Sequence, residues 1–255
     1  MNATPNHILV SIITIVYNGG ELIERTIRSV ADQTYPNIQY IIIDGGSTDN
    51  TMDIVSKFDN VVSFSCSEKD HGISDAFNKG IAKAKGELIG LINCGDYYSE
   101  NAVADMVHTF SRHMKAENEY LVFHGKIRMF NAFFDKIYSP PSITTFPYQM
   151  PIWHPTVFVN RQVYKDFKYN EKYKIAMDYE LFSRVYEAKG RFIFVDKLLT
   201  SMNTVGVSNN QASLGFKEVM IASRENLHVG VVKSYFYYMM RISLNRFIGL
   251  LKKNA

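Results

Sequence analysis

Leu9-Val10-Ser11-Ile12-Ile13-Thr14-Ile15-Val16 is a nearly continuous apolar run rich in β-branched residues. A run of that length without polar alternation reads as a strand buried on both faces, the kind found inside parallel sheets. A helical pattern follows, with Leu22, Ile23, Thr26, Ile27 and Val30 on one side, and it ends before Tyr35-Pro36. Beyond it lie a strand from Ile38 to Ile43, a helix near Asn50 to Phe58, a strand from Val61 to Phe64, a helix near Ile73 to Ala84 and a strand from Leu88 to Ile92. The β-α-β-α-β-α-β order predicts an α/β, Rossmann-like, mostly parallel sheet flanked by helices, with right-handed crossovers. No internal repeat or low-complexity linker interrupts it.

The chain has 255 residues, 46% hydrophobic and 21% charged, enough for one large domain or two small ones with a real core. A net charge of +3 is too weak to imply nucleic acid as a partner. Cys66 and Cys94 lack metal-ligand spacing and make at most one bridge, so they predict small core residues in a reducing cytosol. Met1 to His7 lacks a basic segment followed by an apolar one, so secretion is not expected. No apolar run reaches the roughly 18 to 20 residues of a spanning helix, which predicts a soluble or peripheral protein.

Three carboxylates stand out. Asp44 and Asp96 each sit where an apolar strand runs out into a turn, and open α/β sheets bind ligands at the carboxyl ends of their strands. They can therefore face one ligand from neighbouring strands, while Asp178 approaches from a separate segment. In Asp44-Gly45-Gly46-Ser47-Thr48-Asp49 two glycines permit a tight turn, and Ser47, Thr48 or Asp49 can cap the next helix. The loop lacks the spaced glycines of a phosphate-binding fingerprint and puts a carboxylate first. Asp44 can accept hydrogen bonds from a ribose hydroxyl or a base N–H, or it can simply close a capped turn. Asp49 reads as structural.

Four ordered motifs carry a resemblance: Ser11 to Asn18, Asp44 to Asp49, Ser67-Glu68-Lys69-Asp70-His71-Gly72-Ile73-Ser74-Asp75-Ala76-Phe77-Asn78-Lys79-Gly80, and Asn93-Cys94-Gly95-Asp96. Together they resemble the family 2 glycosyltransferases, inverting enzymes with the GT-A fold, and in particular the bacterial members that build O-antigen, capsule or colanic-acid units. The resemblance is strong over about the first hundred residues and thinner as far as Val207-Ser208. It implies that Thr14, Tyr17 and Asn18 line a nucleoside pocket and that Asp44 reads the base or ribose. It places the Glu68 to Asn78 segment beside the nucleotide, with Asp70 and Asp75 as its polar contacts or as loop and cap residues. Asn78 and Lys79 read as helix surface. Asn93 and Asp96 match the subset's Asn-Ser-Gly-Asp version of the Asp-x-Asp motif, with Asp96 as ligand of Mg²⁺ or Mn²⁺ opposite the diphosphate. Only one carboxylate remains, which implies weaker or donor-assisted metal binding. Cys94 is too soft a donor for such ions.

After about residue 115 the pattern changes. Tyr120 to Phe123, Lys126 to Phe130 and Phe133 to Tyr138 read as short strands, and Pro140 to Pro155 as an irregular aromatic loop. The resemblance makes 1–115 the nucleotide-sugar half and 116–225 the acceptor-binding and catalytic half. Trp153-His154-Pro155-Thr156 matches a His-Gln or His-Pro site of the subset, so His154 touches the diphosphate or the acceptor, or else is structural. Trp153 fits either a sugar face or the core. Asp178 opens a helical pattern of Leu181, Phe182, Val185 and Tyr186, where an acid is also an ordinary cap. The family's Asp-Tyr-x-Leu or Glu-Asp site matches there and implies that Asp178 is the general base, with Glu180 as the alternative.

The tail, 226–255, contains no Asp or Glu but carries Lys233, Arg241, Arg246, Lys252 and Lys253 among aromatic and aliphatic residues. It predicts C-terminal amphipathic helices that lie on an anionic membrane surface or pack on the catalytic domain. The combined expectation is an enzyme on the inner face of the bacterial cytoplasmic membrane. It would move a sugar from a nucleotide-sugar donor, a UDP-sugar by preference, to a polyprenyl-diphosphate-linked saccharide acceptor in surface polysaccharide or lipopolysaccharide synthesis. The alternatives are a sugar-nucleotide nucleotidyltransferase, which expects a glycine-rich, cationic phosphate loop where this chain has Val16-Tyr17-Asn18-Gly19-Gly20-Glu21, and a non-catalytic saccharide-binding relative.

Overall fold

A computed structural model describes residues 7–114, 119–204 and 211–253, with the backbone alone for 246–253. Val207-Ser208 lies outside the described residues. In chain order the elements are β1 (Val10–Val16), α1 (Gly20–Ala31), β2 (Ile38–Asp44), α2 (Thr51–Val55), β3 (Val62–Ser67), α3 (Ile73–Lys83), β4 (Leu88–Asn93), β5 (Tyr97–Tyr98), α4 (Ala102–His113), β6 (Leu121–Phe130), β7 (Asp135–Tyr138), β8 (Phe158–Asn160), α5 (Arg161–Asp166), α6 (Met177–Glu187), β9 (Arg191–Asn203), α7 (Ala212–Leu227) and α8 (Val231–Lys253).

The apolar runs are continuous because the central strands are covered twice. Val10, Ile12, Tyr40, Ile42, Leu88 and Ile92 point to one core with Ile23, Ile27 and Val30 of α1 and Val103, Met106 and Phe110 of α4. Their neighbours Ile13, Ile15, Ile41, Ile43, Ile89 and Leu91 point to the other, with Phe77 of α3 and Leu181, Phe182 and Val185 of α6. The strand order is β3-β2-β1-β4-β8-β6-β9-β5, with β7 paired to β6. β3, β2, β1 and β4 are parallel, as their helical crossovers require. The chain leaves β1 toward β2 and returns to β1's other side as β4, a topological switch point that opens a crevice at the strands' carboxyl ends. Antiparallel pairing of β4 with β8 carries the sheet into the second half.

The structure departs from the sequence expectations at several points, among them β7, which begins at Asp135 and not at Phe133. Leu22 is exposed on α1 rather than turned to the core, because it stands over Gly95 at the rim of the sheet. The helix from Asn50 to Phe58 is one short α-helix, α2, followed by a single 3₁₀ turn at Ser56–Phe58. The strand beginning at Val61 runs on from Val62 to Ser67. Tyr120 to Phe123 and Lys126 to Phe130 form one strand, β6, which shifts register against β9 at Gly125 and Lys126. Gly125 permits this because a Cβ there would lie 2.3 Å from Leu199 Cδ1.

α7 packs on α6, and α8 packs on α7. One face of α8 is held by Tyr237, stacked on Tyr148 at 4.1 Å, and by Arg241, whose Nη2 donates to Gln149 Oε1 at 2.6 Å. Val232, Tyr235, Phe236, Met239, Met240 and Leu244, at positions i, i+3, i+4, i+7, i+8 and i+12, form an exposed apolar stripe on the other. The packing on the catalytic domain expected of the tail is thus seen on one face of α8. Among the described residues no helix is long and apolar enough to cross a membrane.

Candidate active site

Parallel register sets Val16 beside Asp44 and Ile15 beside Asn93, so the loops after β1, β2 and β4 meet at one edge of the sheet. Tyr17 stands 65% exposed there, an aromatic face free to meet a ligand. Asn18 adopts φ 48°, and its Oδ1 accepts from Thr48 N at 2.9 Å while its own N–H donates to Ser47 Oγ at 2.7 Å, locking the first loop to the second. Thr14 is fully buried and pairs with Tyr40 at 3.0 Å, so it supports this floor from below.

Asp44 is also fully buried. Its carboxylate accepts from Ser47 N at 2.9 Å, Ser67 Oγ at 2.5 Å and the Ser47 hydroxyl. It reaches a nucleoside only if one of these partners yields. Asp70 is better placed: its Oδ1 accepts from Gly72 N at 2.9 Å, and its Oδ2 lies 2.5 Å from where a Cβ on Gly45 would be. Only glycine at position 45 lets that carboxylate sit so close, next to Tyr17. Asp75 accepts from His71 N at 2.9 Å and pairs with Lys79 at 3.2 Å, holding the start of α3. Asp49 accepts from Thr51 N at 3.0 Å, just ahead of α2, and from Gly20 N at 3.2 Å, in keeping with a structural role.

Asn93 ends β4, and Asp96 follows a turn whose Gly95 has φ 96°. Thr26 of α1 anchors that turn by donating to Asp96 O at 2.8 Å and accepting from Gly95 N at 2.9 Å. The Asp96 carboxylate is buried and accepts no hydrogen bond among the described residues. Burial pushes its pKa up to about 7, against the opposing pull of His154. Burial likewise pushes the Cys94 thiol up to about 12, and its Sγ lies on Gly19 O at 3.6 Å, a packed neutral thiol.

His154 and Asp178 face this edge from the second half. His154 Nδ1 lies 3.0 Å from Asp178 Oδ1, and the buried Nε2 has no partner among the described residues. Burial lowers the His154 pKa, but Asp178 and then Asp96 outweigh it and raise it overall. Tyr169 donates its hydroxyl to the same Asp178 Oδ1 at 2.9 Å. Glu180 is turned away and forked by Arg184 Nε and Nη2, each at 2.8 Å, so it is already neutralised. Trp153 is half-buried against Tyr138.

Three positioning groups escaped the sequence reading. Glu218 of α7, buried, accepts from the backbone N–H groups of Lys174 (2.9 Å), Ile175 (2.9 Å) and Ala176 (2.7 Å), fixing the turn into α6 one residue before Met177-Asp178. Asn78, which periodicity left as helix surface, instead bonds both backbone groups of Tyr169, at 2.9 and 3.0 Å. Tyr169 itself has no local signal. Lys79 is surface, paired with Glu68 and Asp75.

A buried carboxylate free of hydrogen bonds is a donor that a hard divalent cation accepts, so Asp96 fits Mg²⁺ or Mn²⁺. No cluster of three or more metal-ligating side chains occurs among the described residues, so further ligands would come from a bound diphosphate and water. Asp178, a carboxylate held by a tyrosine and a histidine, is equipped to accept a proton.

The family model described as "Glycosyl transferase family 2" matches residues 11–165. Glycosyltransferase GlyG of Streptococcus pneumoniae serotype 4 is 37% identical over 98 residues, 37% of this chain and 33% of that protein. The Escherichia coli UDP-Glc:alpha-D-GlcNAc-diphosphoundecaprenol beta-1,3-glucosyltransferase WfaP is 35% identical over 102 residues, 39% of this chain and 40% of that protein. The chain spans between 20% and 40% of the length of several curated relatives it matches. Among solved structures, S. aureus TarS 1-349 in complex with UDP-GlcNAc aligns with TM-score 0.67 at 18% identity, covering 90% of this chain and 70% of that one. The mannosyltransferase PcManGT from Pyrobaculum calidifontis, in complex with GDP-Man and Mn²⁺, aligns with TM-score 0.66 at 13% identity, covering 92% and 71%. These likenesses establish the GT-A fold.

Proposed function

The chain belongs to glycosyl transferase family 2, and from that premise we propose that it transfers a sugar, with inversion, from a nucleotide-sugar donor to a lipid-linked saccharide in bacterial surface polysaccharide synthesis. The observation that carries this is the pair of differently prepared carboxylates that both act on His154: Asp96, buried and unbonded, and Asp178, held by Tyr169 and His154. Tyr17 and Asp70 offer the nucleoside an aromatic face and an open carboxylate oxygen, with Thr14, Asn18 and Asp44 setting the floor and loops and Asp75 and Asn93 at its rim.

Asp96 would hold the divalent ion, which when bound supplies positive charge to the departing diphosphate. Asp178 takes the proton of the acceptor hydroxyl as that oxygen attacks the anomeric carbon and the bond to the nucleoside diphosphate breaks. His154, with Nε2 free, offers the donor diphosphate or the acceptor a polar contact. A UDP-sugar donor and a polyprenyl-diphosphate-linked acceptor are supported by TarS, crystallised with UDP-GlcNAc, and by the name of WfaP. Residues up to 115 serve the donor and 116–225 the acceptor. The outer stripe of α8 lies on anionic lipid, with Arg246 and Lys253 seven and fourteen positions after Met239. On this reading the enzyme works at the inner face of the cytoplasmic membrane.

The test is a panel of UDP-, GDP- and dTDP-sugars with Mn²⁺, read by thermal shift and by release of free nucleoside diphosphate, since a specific ligand stabilises the native state by mass action. Stabilisation by one donor with slow diphosphate release is the expected result. Pyrophosphate release from a nucleoside triphosphate and a sugar phosphate would mark a nucleotidyltransferase instead, and stabilisation without release a binding relative.

A further inference from the structure

Asp178 is held asymmetrically. Both of its partners, the Tyr169 hydroxyl at 2.9 Å and His154 Nδ1 at 3.0 Å, meet the same oxygen, Oδ1, while its side chain remains 22% exposed. A carboxylate can accept about four hydrogen bonds over its two oxygens, so concentrating both on one leaves the other available. Tyr169 is itself built in. Its ring stacks on Phe77 at 5.3 Å, Phe77 also meets the His154 ring at 5.0 Å, and Asn78, the next residue of α3, clamps the Tyr169 N–H and C=O as a strand neighbour would. Burial, followed by the charge of Asp178, raises the Tyr169 pKa well above the ordinary tyrosine value, so the hydroxyl remains a proton donor. A core tyrosine needing only a partner could use any carbonyl, yet this one is fixed from both ends and aimed at the site's exposed carboxylate.

We propose that Tyr169, clamped by Asn78, is a positioning residue that pins Asp178 Oδ1 and so presents Oδ2 as the atom that takes the acceptor proton. This deepens the proposed function and rests on Asp178 being its base. The proton passes from the acceptor hydroxyl to Oδ2 as the new glycosidic bond forms and the anomeric carbon's bond to the nucleoside diphosphate breaks. Tyr169 keeps its own proton throughout.

The test is a double-mutant cycle on the full chain: wild type, Tyr169→Phe, Asp178→Asn and the double variant. Turnover is followed as nucleoside diphosphate release from the donor selected by the panel, with water as acceptor, and donor affinity by calorimetry. Tyr169→Phe keeps the ring and removes only the hydroxyl. We expect it to lower kcat roughly tenfold, as losing one hydrogen bond to a charged group does, with donor KM and Kd within about twofold. In the Asp178→Asn background the same change should cost less than about twofold, because a residue acting through Asp178 has nothing left to orient. Asn78→Ala, which frees the Tyr169 backbone while leaving its hydroxyl, should repeat the pattern and stands in if Tyr169→Phe does not fold. Equal losses in both backgrounds would overturn the positioning role while leaving Asp178 as base. Full turnover of Asp178→Asn would instead remove the base itself.

Discussion

His154 Nδ1 and Asp178 Oδ1 are 3.0 Å apart, a contact between the first residue of a 3₁₀ turn and the first turn of α6 that joins the two readings available for Asp178. An acid in the first helical turn is an ordinary electrostatic cap. Its hydrogen bonds, however, go to the side chains of His154 and Tyr169, not to a helix N–H. A carboxylate with that environment is a candidate base. Asp178→Asn keeps the size and the helix start, so it should fold, bind the donor nearly as wild type does, and lose turnover by a factor on the order of 10² to 10⁴. Donor calorimetry and nucleotide release on the same preparation check this, and wild-type turnover would dismiss the base.

Asp96 makes a pH prediction with a definite sign. Burial raises its folded pKa from 3.8 to about 7, so the folded chain without a divalent ion favours the protonated form. Its contribution to stability is complete below about pH 4 and is lost as pH rises to about 7. Relative to Asp96→Asn, the metal-free wild type should therefore lose stability between those limits. Mn²⁺, which needs the ionised carboxylate, should bind more tightly at pH 8 than at pH 6. Thermal unfolding in chelator and calorimetry with Mn²⁺ and UDP test the two halves. A variant that binds Mn²⁺ and UDP as wild type does would exclude Asp96 as a ligand.

Much of the first half was legible because its signals are local. A strand covered on both faces must be apolar throughout, so Leu9 to Val16 and Ile38 to Ile43 announced themselves. The loops after them carry Asp44 and Asp96, and parallel topology alone brings those loops to one edge. What was hidden is long-range. Asn78 meets Tyr169 across 91 residues, and Glu218 meets Ala176 across 42. Neither leaves a periodic trace. Leu22 and β6 were misread because a rim position and a register shift at Gly125 depend on neighbours that a single strand or helix does not specify.

Glu218 gives a test of that hidden layer. Its carboxylate satisfies three backbone N–H groups ahead of α6, and leaving a buried donor unpaired costs about 1–3 kcal/mol. Glu218→Ala should destabilise the chain by about 2 to 4 kcal/mol, less than the sum because water can enter. It should also speed amide exchange at Lys174, Ile175 and Ala176 and lower turnover by loosening the approach to Asp178. Urea unfolding and hydrogen exchange report these effects separately. Unchanged exchange at those three amides would show that the clamp is dispensable.

The exposed face of α8 decides between lipid and protein as its cover. Phe236 and Met240 stand 62% and 47% exposed, one turn apart, on a helix whose other face is already engaged by Tyr148 and Gln149. Replacing both by Asp removes apolar surface and adds negative charge on the exposed face, where the Phe236 ring meets that of its neighbour Tyr237 at 5.7 Å, so the double variant should stay within a few degrees of wild-type thermal stability. The wild type should float with vesicles containing phosphatidylglycerol, less with neutral phosphatidylcholine, and progressively less as salt screens the cations of the tail. The double variant should remain at the bottom of the gradient with either lipid. If the wild type ignores both vesicles yet sediments as a dimer that the two substitutions dissociate, the stripe covers a second copy of the chain and the membrane proposal falls.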